Sequence, residues 1–340
     1  RVRSSAASDV YKRQLFYQIT PAKWRSYTLL IFSYLFFWSF SEKLIIYLIG
    51  TTFLTHHICI WMDTMDKRDK RKKRVFQLGI LLLLGTILCL KYRNFFFGNV
   101  SKLAMVLHID WSYQDQLIFL PIGISFYTLS AIGYMADVYW GKVKAEYSLV
   151  KTALFLGFFP VIVEGPICRW EDVEDTLFKN ESVKAENVFK GCYRIIWGLF
   201  KKMIIADRLA VLVDKVYVGY ESYSGAVIVV AAISYTIQLY MEFSGCMDMV
   251  IGSAGLFGIR LPENFSQPFF AKTCTDFWKR WHITLGVWFK NYIFYPVSIS
   301  KTARKWNKFT RKHFKGDFGK YVARMGIAAM ALFPVWISNG

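Results

Sequence analysis

The sequence predicts an all-α fold, a polytopic protein of transmembrane helices, and three observations carry that expectation. The 340 residues are 54% hydrophobic and 18% aromatic, with a mean hydropathy of +0.28. Those values are high for a soluble domain and ordinary for a multi-pass membrane protein. Apolar runs recur along the chain, separated by polar joints. The formal net charge of +19 is clustered between those runs, as the positive-inside rule describes, so no nucleic-acid partner is expected. The six cysteines show no Cys-x-x-Cys or other ligand spacing. They read as small packed apolar residues, with no metal and no bound cofactor.

Residues 1–14 are polar, lack an initial Met and show no apolar period. They read as a non-native or disordered leader, and 15–340 as a single incomplete transmembrane domain. Leu15 to Ile19 resemble the last turn of a helix stopped by Thr20-Pro21. Runs 27–40 and 44–62, joined by Glu42-Lys43, suggest a helical hairpin, and 75–90 follows. Several runs fall short of the ~20 residues that span a bilayer, which implies tilt or local thinning. In 67–74, seven of eight residues are basic, and 301–315 holds seven Lys or Arg and no acid. Both read as solvated cytoplasmic loops. An even number of crossings should then separate them, drawn from 75–90, 117–134, 149–163, 195–205, 226–240 and 287–299. The fourth and sixth are short enough to be re-entrant. A last apolar run covers 321–337.

Within these runs, His56 and His57 point about 100° apart on a helix. No acid stands at i±3 or i±4 of either, and the lone Cys59 three residues after His56 makes no ligand set, so a buried, hydrogen-bonded structural role is expected. Pro121 and Gly123 interrupt an apolar run, as do Pro160, Gly165 and Pro166. Such breaks free backbone groups that lipid leaves unsatisfied, so they belong in protein or beside a cavity. The first is equally a kinked packing helix or a cavity wall. Asp137 marks an interface. Glu164 and Arg169 either pair across a turn or are interfacial, and 171–190 suits a surface helix or loop.

The densest chemistry lies from Met241 to Pro296. Glu242 and Asp248 flank Ser244-Gly245, adjoin apolar runs, and need partners if buried. Gly252, Gly255 and Gly258 recur at three-residue spacing, which favours close helix approach. No Lys-Ser/Thr follows them, so they form no phosphate loop. Thr273-x-x-Asp276 fits a helix start. The helix that follows should place Trp278, Trp281, His282, Leu285, Trp288 and Phe289 in one stripe, with Lys279, Arg280 and Lys290 mainly elsewhere. His282 on that aromatic face is either a neutral general base or a core histidine bonded to a carbonyl. The residues alone do not choose between the two.

Phe119-Leu120-Pro121-Ile122-Gly123-Ile124-Ser125-Phe126, Phe158-Phe159-Pro160 with Gly165-Pro166-Ile167, Phe243-Ser244-Gly245 with Asp248-Met249 and Ile251-Gly252, Pro262-Glu263-Asn264-Phe265, and Asp276-Phe277-Trp278-Lys279-Arg280-Trp281-His282 together resemble the membrane-bound O-acyltransferase family. The likeness is nearest to its bacterial branch of alginate O-acetyltransferases and teichoic-acid D-alanyl transfer proteins. It implies a ring of helices around a central funnel in the bacterial cytoplasmic membrane. There, an acyl group passes from a cytoplasmic thioester, acyl-CoA or the phosphopantetheine of an acyl carrier protein, to a hydroxyl of an extracytoplasmic polysaccharide or a partner transferase. The family's Arg-Trp-His histidine carries over as the catalytic His282. Trp278, Arg280, Trp281, Asn264, Glu242, Asp248 and Ser244 are expected to bind substrate or line the funnel. The family's second histidine is expected beyond Gly340, which would leave this stretch alone crippled. Glu164 departs from the small or apolar residue expected before Gly-Pro-Ile. The Asp248 and Glu263 strings favour acetyl or a similar short acyl group, with D-alanyl transfer as the alternative. A transporter would show an internal repeat, and none is found; a non-catalytic docking scaffold is the third reading.

Overall fold

A computed structural model of the protein describes residues 17–109, 111, 113–114, 120–179, 183–314 and 316–339, with side chains up to 330. The leader expected at 1–14, the start of the 117–134 run and Lys315 lie outside the described residues. The described residues are helical, with no strand among them. Helices α1 (Arg25–Ser41) and α2 (Ile45–Asp63) are followed by α3 (Lys70–Lys91), α4 (Arg93–Val106), α5 (Ile124–Trp140), α6 (Leu149–Gly157), α7 (Phe159–Ile162) and α8 (Trp170–Leu177). Next come α9 (Ala185–Leu199), a π-helical turn (Phe200–Ala206), α10 (Asp207–Val218) and α11 (Gly225–Gly255). Among the described residues, three helical stretches are long and apolar enough to cross a membrane: Ala22–Asp63, which holds α1 and α2, then Lys70–Lys91 and Gly225–Gly255.

The chain forms two compact units, Arg1–Glu263 and Asn264–Gly340. In the first, α6 packs along both α1 and α2, while α2 and α3 pack on α5. The expected hairpin is therefore not a side-by-side pair. Glu42 takes φ 43°, a 3-10 turn follows, and each helix finds its main partner elsewhere.

Hydroxyls of α1 meet one backbone N–H beside Pro121 and one beside Pro160. Ser33 Oγ donates to Leu29 O (2.7 Å) and accepts from Phe159 N (3.1 Å), just before Pro160. Ser41 Oγ accepts from Ile122 N (3.2 Å). The freed backbone groups are thus met inside protein, as lipid demands. The Pro121-Gly123 break precedes α5 rather than kinking it. Gly123 sits at φ +67°, where a Cβ would overlap Ile162 O (1.6 Å), so no other residue fits this approach. Phe37, Leu48, Ile124, Tyr127 and Ile162 form the core around it.

Several sequence expectations change here. Asp137 is buried and pairs with Lys142 (3.4 Å). The basic run 67–74 is only partly a loop: Asp69 caps α3 by accepting from Arg71 N (2.7 Å), and the run continues into that helix. His56 is buried with Nδ1 3.1 Å from Thr152 Oγ1, the structural role expected, whereas His57, with Nδ1 3.0 Å from Phe53 O, is exposed rather than buried. Arg169 forks onto Asp172 (2.7 and 3.0 Å) and pairs with Glu171 (2.5 Å). Glu164 lies within hydrogen-bond reach of the Cys246 thiol.

A close helix crossing joins α9 to α11. A Cβ on Gly191 would stand 2.8 Å from Gly252 O, and one on Gly252 2.8 Å from Gly191 O. Gly198 and Gly245 face each other in the same reciprocal way, at 2.5 and 2.8 Å. Close approach was expected at Gly252, Gly255 and Gly258. Gly252 makes it, Gly255 is looser, and Gly258 turns the chain after α11 at φ +76°. The missing pattern is a seven-residue step on each helix, 191 to 198 and 245 to 252, which returns to the same face.

The second unit holds α12 (Cys274–Arg280), α13 (Ile283–Phe289), a π-helical turn (Lys290–Phe294), α14 (Tyr295–Ser298), α15 (Lys301–His313) and α16 (Gly316–Asn339). The second basic stretch is thus a helix, not a loop. Ser300 caps it by accepting from Ala303 N (3.2 Å), and it packs on α16. Gly198→Val should force the α9–α11 backbones apart and cost about 1–3 kcal/mol, lowering Tm in detergent. Gly50→Val, with nothing within 4 Å of its Cβ, should leave Tm unchanged.

Candidate functional site

In the second unit, two backbone bonds clamp the segment around His282. Ser266 N donates to Arg280 O (3.0 Å) and Ile283 N donates to Asn264 O (2.9 Å). Between them the chain leaves α12 at Trp281 and turns through His282 at φ 45°, ψ 54°, the left-handed region, before α13 begins. The expected continuous helix with one aromatic stripe is therefore wrong: it is cut at the histidine. A left-handed non-glycine residue costs roughly 1–2 kcal/mol, and the flanking backbone bonds hold it there. Trp278 consequently falls on an exposed face (66%), while Trp288 is buried.

The start of α12 is as expected, with Thr273 Oγ1 accepting from Asp276 N (3.1 Å). Arg280 Nε bonds Asp276 Oδ1 (3.0 Å), and this partner holds the Asp276 carboxyl below its usual range. Trp281 stacks on Phe277 (5.7 Å) and meets Phe265 edge-on (5.1 Å).

Asn264 is 1% exposed. Its Oδ1 accepts from Thr284 N (3.1 Å) and from Thr284 Oγ1 (3.0 Å), and lies 3.1 Å from His282 Nδ1. His282 Nδ1 thus faces a side-chain amide. The ring lies outside the three candidate spans, and burial pushes its pKa down to about 4. Desolvation penalises the imidazolium, so the ring is neutral, and hence basic, at neutral pH. Thr284 escaped the sequence reading, because a threonine in an apolar helix gives no chemical signal.

The remaining sequence-picked residues gather in the first unit, on α11. Asp248 bonds Arg194 Nε (3.0 Å) and Lys201 Nζ (2.7 Å), and Arg194 also forks onto Glu263 (2.5 and 2.6 Å). Lys202 pairs with Glu242 and with Asp207 (2.8 Å). Ser244 is buried within bonding reach of Tyr240. The partners that Glu242 and Asp248 required are therefore present. They come from α9 and the π turn, where Lys201-Lys202 inside the 195–205 run was the overlooked signal. Among the described residues, no cluster of His, Cys, Asp or Glu has the arrangement to hold a metal.

Two outcomes follow. A histidine NMR titration should place the His282 midpoint near pH 4, against 6.5 for an unperturbed ring. The unfolded state then binds the extra proton first. His282 stabilises the fold fully above pH 6.5, and that contribution is lost as pH falls toward 4; a midpoint at or above 6.5 contradicts this. Separately, Asp248→Asn should destabilise by about 3 kcal/mol, because Arg194 and Lys201 keep their charges and lose a shared carboxylate. An unchanged urea midpoint would show that the network contributes nothing.

A model of the MBOAT, membrane-bound O-acyltransferase family, matches residues 142–311. The chain is 33% identical over 278 residues to the probable alginate O-acetylase AlgI of Pseudomonas aeruginosa, covering 82% of this chain and 53% of that protein. It is 30% identical over 298 residues to the peptidoglycan O-acetyltransferase of Helicobacter pylori, at 79% and 55% coverage. It is also 30% identical over 193 residues to the teichoic acid D-alanyltransferase of Bacillus subtilis, at 55% and 48% coverage. The chain spans about half the length of the curated relatives it matches. With its helical architecture and the turn that presents His282, the chain belongs to the membrane-bound O-acyltransferase family.

Proposed function

We propose that this chain is part of an enzyme that moves an acetyl or similar short acyl group from a thioester donor to a hydroxyl of an extracytoplasmic polysaccharide. The donor is acyl-CoA or an acyl carrier protein, presented from the cytoplasmic side of the bacterial plasma membrane. The basic segments 67–74 and 301–315 lie on that side. Acceptor and donor meet beside His282, where Trp278, Arg280 and Trp281 contact substrate and Asn264 supports the ring. The observation that carries this reading is a half-buried, neutral imidazole fixed in a strained turn.

His282 takes the proton from the acceptor hydroxyl as its oxygen attacks the thioester carbonyl. The new C–O bond forms, the C–S bond breaks, and the proton passes to the departing thiolate, so charge and atoms balance. A positioned base contributes about 10²–10⁴-fold to such a step. Acetyl is favoured over D-alanyl because relatives named for acetyl transfer match most of the chain, and the D-alanyltransferase about half of it.

The test uses the whole protein with His282→Asn and His282→Gly, two residues that accept a positive φ. Acyl transfer should fall by about 10²–10⁴-fold while Tm stays near wild type. Transfer at the wild-type rate by either folded variant overturns the reading.

A further inference from the structure

We infer that Asn264 is a positioning residue that fixes the proton of His282 on Nδ1 and so makes Nε2 the basic nitrogen. The inference rests on the base role proposed for His282 and adds to it which atom acts. An amide side chain offers both an oxygen and an NH2 group, and the two ends look alike unless their neighbours distinguish them. Here a neighbour does. The backbone N–H of Thr284 can only donate, and it points at the Asn264 side chain at 3.1 Å. The atom it meets is therefore the oxygen, which only accepts. The Thr284 hydroxyl reaches the same oxygen at 3.0 Å.

His282 Nδ1 stands 3.1 Å from that oxygen. Two acceptors do not bond, so Nδ1 carries a hydrogen. A neutral ring holds one N–H, so the lone pair belongs to Nε2. Asn264 is itself immobilised, 1% exposed, with its own carbonyl accepting from Ile283 N (2.9 Å). The same residue thus holds the backbone of the left-handed turn and the tautomer of the ring it presents. A free imidazole partitions between tautomers. Here the wrong one would place two lone pairs 3.1 Å apart in a buried site, an arrangement that costs the full desolvation of both groups.

The experiment is nitrogen-15 NMR of the whole protein, histidine-labelled and held in lipid nanodiscs, with the His282 signals identified by their loss in His282→Asn. The expected spectrum at pH 7 has Nδ1 in the protonated range and Nε2 in the lone-pair range. Asn264→Ala should mix the two tautomers and lower acyl transfer about 10-fold or more. Asn264→Asp should keep Nδ1–H, add a charge beside the ring, and move the acidic limb of the pH–rate profile upward. Thr284→Val, which removes a donor from the same oxygen without touching the ring, should leave the tautomer unchanged and so control for loosened packing. A wild-type His282 protonated at Nε2, or an unchanged tautomer in Asn264→Ala, overturns the inference. If the tautomer is as stated but His282→Asn transfers acyl groups at the wild-type rate, the base role fails and the positioning of the ring stands.

Discussion

One amide oxygen organises the site. Asn264 Oδ1 gathers the Thr284 N–H, the Thr284 hydroxyl and the His282 ring within 3.1 Å. That convergence helps to offset the steric cost of the left-handed turn at His282. A regular helix through Trp281 and His282 would be favoured by local energetics alone. The flanking backbone bonds, Ser266 to Arg280 and Ile283 to Asn264, act as a short clamp. Strain of this kind persists only where surroundings over-determine it, and such places are enriched in functional groups.

A different constraint governs the first unit. Gly191, Gly198, Gly245 and Gly252 let the backbones of α9 and α11 touch, with no side chain between them. That proximity brings the cations of α9 and the π turn against Glu242 and Asp248. Glycine contact and ion pairing depend on each other. Charges in an apolar setting are tolerable only when opposed at hydrogen-bonding distance, and that distance requires helices packed closely along these faces. The π turn at Phe200–Ala206 adds a residue to the helical register beside Lys201 and Lys202. It alters the face on which both ammonium groups emerge.

Much of this was legible in the sequence, for identifiable reasons. Thr273 three residues before Asp276 announces a cap, because few other arrangements satisfy a helix start. His56 and His57 have no acid at helical spacing, which argues for structural bonds, and each has one. Carboxylates beside apolar runs demand partners, and Glu242 and Asp248 have them. The break at His282 was not legible. Its aromatic neighbours follow helical periodicity without interruption, and periodicity carries no information about hydrogen bonds from residues eighteen positions away. The same blindness hid the Ser33 and Ser41 contacts, which join α1 to segments far along the chain. Basic runs were read as loops because charge alone says nothing about caps. Asp69 and Ser300 turn both runs into helix starts.

His282 occupies this turn, and the geometry supplies reasons for its behaviour. Burial keeps it neutral, the amide oxygen orients it, and the clamp prevents it from relaxing into a helix. The most direct measurement is a structure of the whole protein in lipid with a non-hydrolysable thioester analogue and an acceptor sugar. A base role requires a ring nitrogen of His282 within about 2.6–3.2 Å of the acceptor hydroxyl, or one water away. A hydroxyl and carbonyl meeting elsewhere, with His282 out of reach of both, would contradict it.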